Sequence, residues 1–287
     1  MLQKKDLLLT RGQRLLLLAC MFLFCFGLTL VLVYFASMLL SEKPVAAMRI
    51  SAVLQDVFAF ILPSVATCMI VTRKPAELMC LNRRIQLPAV LMVVGILVAS
   101  IPLQESIIYW NNNISFPESL QAFAREARAA EDRANAAMLL MLSDTSVVSL
   151  ILNILIVGVG AGFSEELLFR GTFQRLLTTG GINRHVAVWS VAFVFSALHM
   201  QLFGFVPRML LGAYFGYLLL WTGSIWMPIL AHTLNNTIFV ITAWHQLRYH
   251  PEVPFSADSE LWPWLWIAAS TLLTTILLAA IRSRRNK

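Results

Sequence analysis

Runs of apolar residues long enough to cross a lipid bilayer recur along most of this sequence, and no other feature limits its possible folds so severely. A helix needs about 20 apolar residues to traverse the hydrocarbon core. Candidate spans run from Leu15 to Leu40, Ser51 to Thr72, Gln86 to Tyr109, Ser146 to Phe169, Val186 to Phe203, Val206 to Trp221, Ile225 to Trp244 and Leu261 to Ile281, the sixth being the shortest. In hydrocarbon every backbone N–H and C=O must be satisfied inside the protein, which makes such runs helical. The expected class is therefore an all-α integral membrane protein, a bundle of about eight transmembrane helices. A chain that is 59% hydrophobic and 13% charged is not an ordinary soluble domain. The first apolar run is too long for a cleavable signal and lacks a clean small-residue cleavage site, so it reads as a retained span.

The net charge of +7 invites a nucleic-acid reading, but the positions of the charges account for most of it. Lys and Arg concentrate in short cytoplasmic segments of membrane proteins. With the N-terminus inside, 15 of the 22 basic residues fall on the cytoplasmic side: Lys4, Lys5, Arg11, Arg14, Arg73, Lys74, Arg83, Arg84, Arg170, Arg175, Arg184, Arg282, Arg284, Arg285 and Lys287. Both termini are then cytoplasmic, the expected location is the cell (plasma or inner) membrane, and nucleic acid is not needed as a partner. Cys20, Cys25, Cys68 and Cys80 are scattered through apolar sequence without a Cys-x-x-Cys pair, which suggests packing residues rather than disulfides or thiolate metal ligands.

No internal repeat or low-complexity tract is visible. The sequence divides into residues 1–145, the first spans with a long polar insertion; 146–244, where polar groups concentrate at membrane depth; and 245–287, an outer loop with the last span. The insertion opens with Asn111–Asn113, and Pro117-Glu118 suits a helix start. Beyond it Leu120, Phe123, Ala127, Ala130, Ala134, Met138 and Met141 recur every three or four residues among charges, the pattern of an amphipathic helix on the outer surface. Asp56 and Glu105 are the ionisable groups within the first three spans, and Asp56 has no partner identifiable from sequence.

The densest chemistry lies in Phe163-Ser164-Glu165-Glu166-Leu167-Leu168-Phe169-Arg170-Gly171. Ionisable groups in membrane spans are costly, face the bundle interior and usually pair. Glu166 and Arg170 stand four residues apart with the acid first, the favourable order for an ion pair on one helix face. Glu165 lies about 100° around the helix from Glu166 and is left to face a different space. Two further spans carry matching groups: His199 four residues after Phe195, and His232 with Asn236 four residues later on the same face. A carboxylate assisted by histidine takes a proton from water, and imidazole and carboxamide N–H groups bind an oxyanion. A His-Glu-x-x-His zinc helix and a Gly-x-Gly-Asp motif are both missing, and Ser164 reads as a hydrogen-bonding group beside the acids rather than a nucleophile. The rival class is a non-catalytic membrane protein, an immunity or scaffold factor that binds a peptide in the same polar cavity.

The ordered set Glu165-Glu166-x-x-x-Arg170, Phe195-x-x-x-His199 and His232-x-x-x-Asn236 resembles the CAAX-processing and bacteriocin-processing (CPBP) family of intramembrane endopeptidases, which includes type II CAAX prenyl endopeptidases and lysostaphin resistance protein A-like proteins. The similarity covers about Ile151 to Val240. It implies an endopeptidase acting on a membrane-associated protein or peptide. Position by position, it implies that Glu165 activates water with help from His199, that His232 and Asn236 stabilise the oxyanion, and that Glu166 and Arg170 form the supporting pair. The family resemblance favours a metal-free, glutamate-activated water and no cofactor. Zinc held by Glu165, His199 and His232 is the alternative. The substrate and the oligomeric state are not set by the sequence.

Overall fold

The computed structural model describes residues 6–252 and 261–283. The basic residues Lys4, Lys5, Arg284, Arg285 and Lys287 and part of the loop before the last helix lie outside the described residues. Among the described residues the structure is helical, with one isolated backbone bridge between Leu7 and Thr72. Helix α1 (Arg11–Leu39) opens on a capping box in which the Thr10 hydroxyl accepts from the Gln13 N–H and the Gln13 side chain returns to Thr10. Helix α2 (Pro44–Val71) begins at a proline, whose fixed φ and missing N–H suit a first turn. Helices α3 (Leu87–Ala99) and α4 (Ile101–Asn112) meet at Ser100 with a 48° bend. Pro102 supplies no N–H to continue the helix through that point.

The sequence from Gln121 to Leu142 forms the amphipathic helix α5, after a short turn at Glu118–Leu120. Helix α6 (Val147–Thr179) is capped by the Ser146 hydroxyl, and α7 (Arg184–Ala197) by the Asn183 side chain. Helix α8 (Phe205–Thr222) ends at Gly223, whose φ of +69° is the left-handed stop that glycine adopts without strain. Helices α9 (Trp226–Tyr249) and α10 (Trp264–Ser283) follow.

Among the described residues four helices are long and apolar enough to cross a membrane: α1, α2, α6 and α10; the bent α3–α4 pair would make five. The other expected spans are shorter or more polar. Helix α7 has 14 residues, and α9 carries His232, Asn235, Asn236, His245, Gln246 and Arg248. The expected class, an all-α integral membrane protein, holds. The lipid-type surface is apolar, with Leu16, Leu23, Phe24, Leu91, Leu155 and Leu272 exposed, whereas Ser164, Glu166, Arg170 and Gln174 are buried. Polar groups thus sit at the centre of the bundle, where they can satisfy one another.

The span expected to end at Phe169 continues to Thr179, making α6 33 residues long. Tertiary partners allow this: Arg170 and Gln174 donate to the backbone carbonyls of Gly212 and Gly216 on α8. Glu165 therefore lies near the middle of α6 rather than at its end. His199 lies just beyond the C-terminus of the short α7, and His232 in the second turn of α9.

Helix α5 is fastened over the loop that follows His199. The Phe203 N–H donates to Glu131 Oε2 at 2.9 Å, Asn111 Nδ2 donates to the Phe203 carbonyl, and the Arg128 guanidinium lies 3.4 Å over the Phe203 ring. Burial pushes the Glu131 carboxyl above its ordinary 4.5, opposed by the Phe203 N–H and by Arg208 and Arg128. A carboxyl raised in the folded state stabilises the fold while protonated, and that contribution is lost as pH rises from the ordinary value through the raised one. Glu131→Gln keeps an acceptor for Phe203 and has no charge to desolvate. Its midpoint of thermal unfolding should gain on that of the native protein as pH rises from 4 to 8. A constant difference between the two proteins over that range would contradict the assignment.

Candidate active site

Three consecutive residues of α6 point to three different neighbours. Ser164 faces α2, where its hydroxyl donates to Asp56 Oδ1 at 2.7 Å. Glu166 faces α8 and α9: its Oε1 accepts from Arg170 Nη1 at 2.6 Å and pairs with His232 Nδ1 at 2.9 Å. Glu165 lies between these two directions, with Oε2 buried and without a hydrogen-bond partner and 3.9 Å from His232 Nε2. Arg170 clasps Glu166 and makes no hydrogen bond to the adjacent acid.

The arginine is anchored through both terminal nitrogens, while its Nε is buried without a hydrogen-bond partner. Glu166 and Arg170 are both 0% exposed, so their ion pair is wholly desolvated. Arg170 Nη2 donates to the Gly212 carbonyl at 2.8 Å, and the guanidinium lies 4.7 Å from the Phe195 ring centre and 5.4 Å from that of Phe215. Gly212 makes this approach possible, because a Cβ there would come within 3.0 Å of Phe195 and 3.2 Å of Arg170 Nη2. The helix itself is widened from Leu167 to Gln174 into π-type turns, and the Thr172 hydroxyl donates to the Leu167 carbonyl at 3.0 Å. Such turns rotate side chains out of α-helical register and are common at functional sites.

His232 is clamped as firmly. Its ring stacks on Phe215 at 4.9 Å between centres and meets the edge of Phe195 at 6.0 Å. An ionised Glu166 can only accept, so Nδ1 of His232 carries a proton and Nε2 is the atom turned towards Glu165. His199 is fixed differently: Nδ1 donates to the Phe195 carbonyl at 2.8 Å, and its ring lies 5.0 Å from that of Phe195. Phe195 is thus the common wall between the two imidazoles. Asn236 donates one amide N–H to the Val157 carbonyl at 3.1 Å, within the widened turn at Ile154–Gly160. His232 reaches both acids and Arg170 reaches Glu166, whereas His199 contacts Phe195 rather than either acid, and Asn236, one turn from His232, contacts the Val157 carbonyl.

Two residues near this centre are not marked by the sequence motifs. Asp56 is the first, and the Ser164 contact supplies the partner that the sequence could not name. Arg208 is the second: it bonds Gln201 and lies in the electrostatic field of both Glu131 and Glu165. An acid in an apolar run was a visible signal for Asp56. Arg208 sits at the start of an apolar helix and gave no such signal.

Helices α6 and α9 approach closely enough to make these contacts because of small residues on α6. A Cβ on Gly158 would come within 2.6 Å of Thr237 Oγ1, and one on Gly162 within 2.9 Å of the Thr233 backbone N. Small residues four apart are a common device for bringing membrane helices together. For zinc, the free Nε2 atoms of both histidines are chemically suitable donors. No three His, Cys, Asp or Glu side chains among the described residues are grouped as a metal would need.

Fold and site together define a helical membrane protein with a buried carboxylate–imidazole centre in its core. Residues 147–238 match the family described as Type II CAAX prenyl endopeptidase Rce1-like. The match includes every motif residue from Glu165 to Asn236. The uncharacterized protein YpbD of Bacillus subtilis (strain 168) is 28% identical over 81 residues, 27% of this chain and 38% of that protein. The similarity thus spans well under half of that relative. No solved structure matches the chain.

Glu166→Gln leaves the Arg170 charge buried without its counter-ion, which typically costs roughly 3–5 kcal/mol. The expected result is a sharply lower yield of folded, detergent-extractable protein and a lower unfolding midpoint. An unchanged midpoint would show that Arg170 does not depend on Glu166.

Proposed function

We propose that the protein is an intramembrane endopeptidase that hydrolyses a peptide bond of a membrane-associated protein or peptide through a water activated by Glu165. The observation that carries this reading is the contrast between adjacent carboxylates: Glu166 is held through Oε1 by Arg170 and His232, its Oε2 being buried without a partner, while Glu165 stands outside that clasp with its buried Oε2 3.9 Å from the second imidazole nitrogen. The match of residues 147–238 to a CAAX prenyl endopeptidase family supports the reaction class.

In the proposed sequence, Glu165 takes a proton from water as the water oxygen attacks the substrate carbonyl. His199, oriented by Phe195, assists through its free Nε2. The carbonyl oxygen becomes an oxyanion, which accepts from the second amide N–H of Asn236 and from His232. Donation by His232 Nε2 requires the ring to carry both protons, since Nδ1–H is already given to Glu166. Glu165 then returns its proton to the departing amine nitrogen as the C–N bond breaks, leaving a carboxylic acid and an amine. No cofactor enters this scheme, and zinc held by Glu165, His199 and His232 is the alternative to be tested. The arrangement of basic residues supports a cell-membrane location with cytoplasmic termini as part of the same proposal.

The test uses purified protein in bilayer discs and two fluorogenic peptides, one carrying a farnesylated cysteine and one an unmodified transmembrane segment. General-base catalysis is typically worth about 10²–10⁴-fold, so Glu165→Gln should lose at least about a hundredfold in kcat while remaining folded. Undiminished cleavage by Glu165→Gln would overturn the assignment. A strong chelator should leave cleavage intact, and metal-reversible loss would establish the zinc mechanism instead.

A further inference from the structure

Asp56 is a carboxyl in the middle of a membrane helix, 8% exposed, and outside the segment that matches the protease family. Such groups are retained in hydrocarbon when they pair and serve a function. Its partner is Ser164, the residue immediately before Glu165. The hydroxyl could have back-bonded to its own helix, as serines in membrane helices do. Its distance to the Ala161 carbonyl is 3.4 Å, against 2.7 Å to Asp56 Oδ1. The bond to α2 is the shorter one.

The surrounding backbone is shaped for this contact. Helix α2 is widened into π-type turns at Gln55–Ile61, beginning one residue before Asp56. On the facing helix a Cβ at Gly160 would come within 2.7 Å of Asp56 Oδ2, so a side chain there would displace the carboxyl from its present position. Asp56 also lies in the electrostatic field of Glu165 and His232, which places it on the edge of the catalytic centre.

We propose that Asp56 is a positioning residue for Glu165, acting through the Ser164 hydroxyl as a hydrogen-bonded bracket that fixes the rotation of α6. The bracket tethers Ser164 to α2 while the Glu166 clasp tethers the other side of the turn to α8 and α9. Glu165, between them, is held by both without being bonded by either. Rotation of α6 by about 20° would sweep a carboxylate several ångströms from the helix axis through more than about 1 Å, a displacement of the kind that costs large factors in rate. This inference rests on the endopeptidase reading of the same site.

The test measures kcat, KM and thermal unfolding for Asp56→Ala, Ser164→Ala, the double variant and Asp56→Asn, with Glu165→Gln as control, using the two fluorogenic peptides in bilayer discs. The bracket requires each single alanine variant to lose about tenfold in kcat with KM within about twofold, and the double variant to lose no more than either single one. Asp56→Asn keeps an oxygen acceptor for the serine and should retain kcat within about threefold. Unfolding midpoints of Asp56→Ala, Asp56→Asn and the double variant should stay within a few degrees, since none of them leaves the Asp56 carboxyl buried without its donor. Full kcat in Asp56→Ala, losses that multiply in the double variant, or loss seen only as a lowered midpoint would overturn the bracket. Wild-type protein inactive on both peptides, or active Glu165→Gln, would instead sink the endopeptidase reading and the bracket with it.

Discussion

The buried ion pair between Glu166 and Arg170 is the constraint around which the core is arranged. Two opposite charges with no solvent exposure are tolerable only where neighbouring groups take up most of their remaining donors and lone pairs. The neighbours do so here, leaving Glu166 Oε2 and Arg170 Nε buried without a hydrogen-bond partner. Gly212 offers its carbonyl, Phe195 and Phe215 offer ring faces, and His232 offers Nδ1. His232 is also the side chain that Glu165 faces. A structural requirement, neutralising a charge in hydrocarbon, thus also fixes the imidazole beside the second acid.

Close approach between helices depends on departures from ideal α-helix. Widened turns occur at Gln55–Ile61, Ile154–Gly160 and Leu167–Gln174, and each adjoins a polar contact of the centre: Asp56 with Ser164, Val157 with Asn236, and Arg170 with Glu166. Glycines at 158, 160, 162 and 212 remove the side chains that would block those contacts. Each such turn redirects hydrogen bonds within its own helix, and in return carbonyls and side chains reach across to neighbouring helices.

Much of the site could be read from the sequence because its determinants are local. Charge inside an apolar run marks a buried polar centre, and i,i+4 spacing alone separates Glu166 with Arg170 from Glu165. The apolar runs likewise announce the helices. What the sequence did not reveal is where the helices stop and whom they touch. The end of α6 is set by Gly212 and Gly216 carbonyls on α8, the bend between α3 and α4 by a single proline, and the Asp56 partner by the packing of α2 on α6. These are contacts between residues distant in sequence, to which hydropathy and spacing are blind. The amphipathic helix was legible as a helix, but not as the element that holds the loop after His199.

The central claim is that the Glu165 carboxylate moves a proton and never forms a bond to the substrate. A single turnover in oxygen-18 water, followed by mass spectrometry of the product and of the enzyme fragment containing Glu165, tests it most directly. Water attack places one heavy oxygen in the new carboxylate of the product and none in the enzyme. Heavy oxygen recovered in the Glu165 side chain would reveal a covalent acyl intermediate and contradict the account.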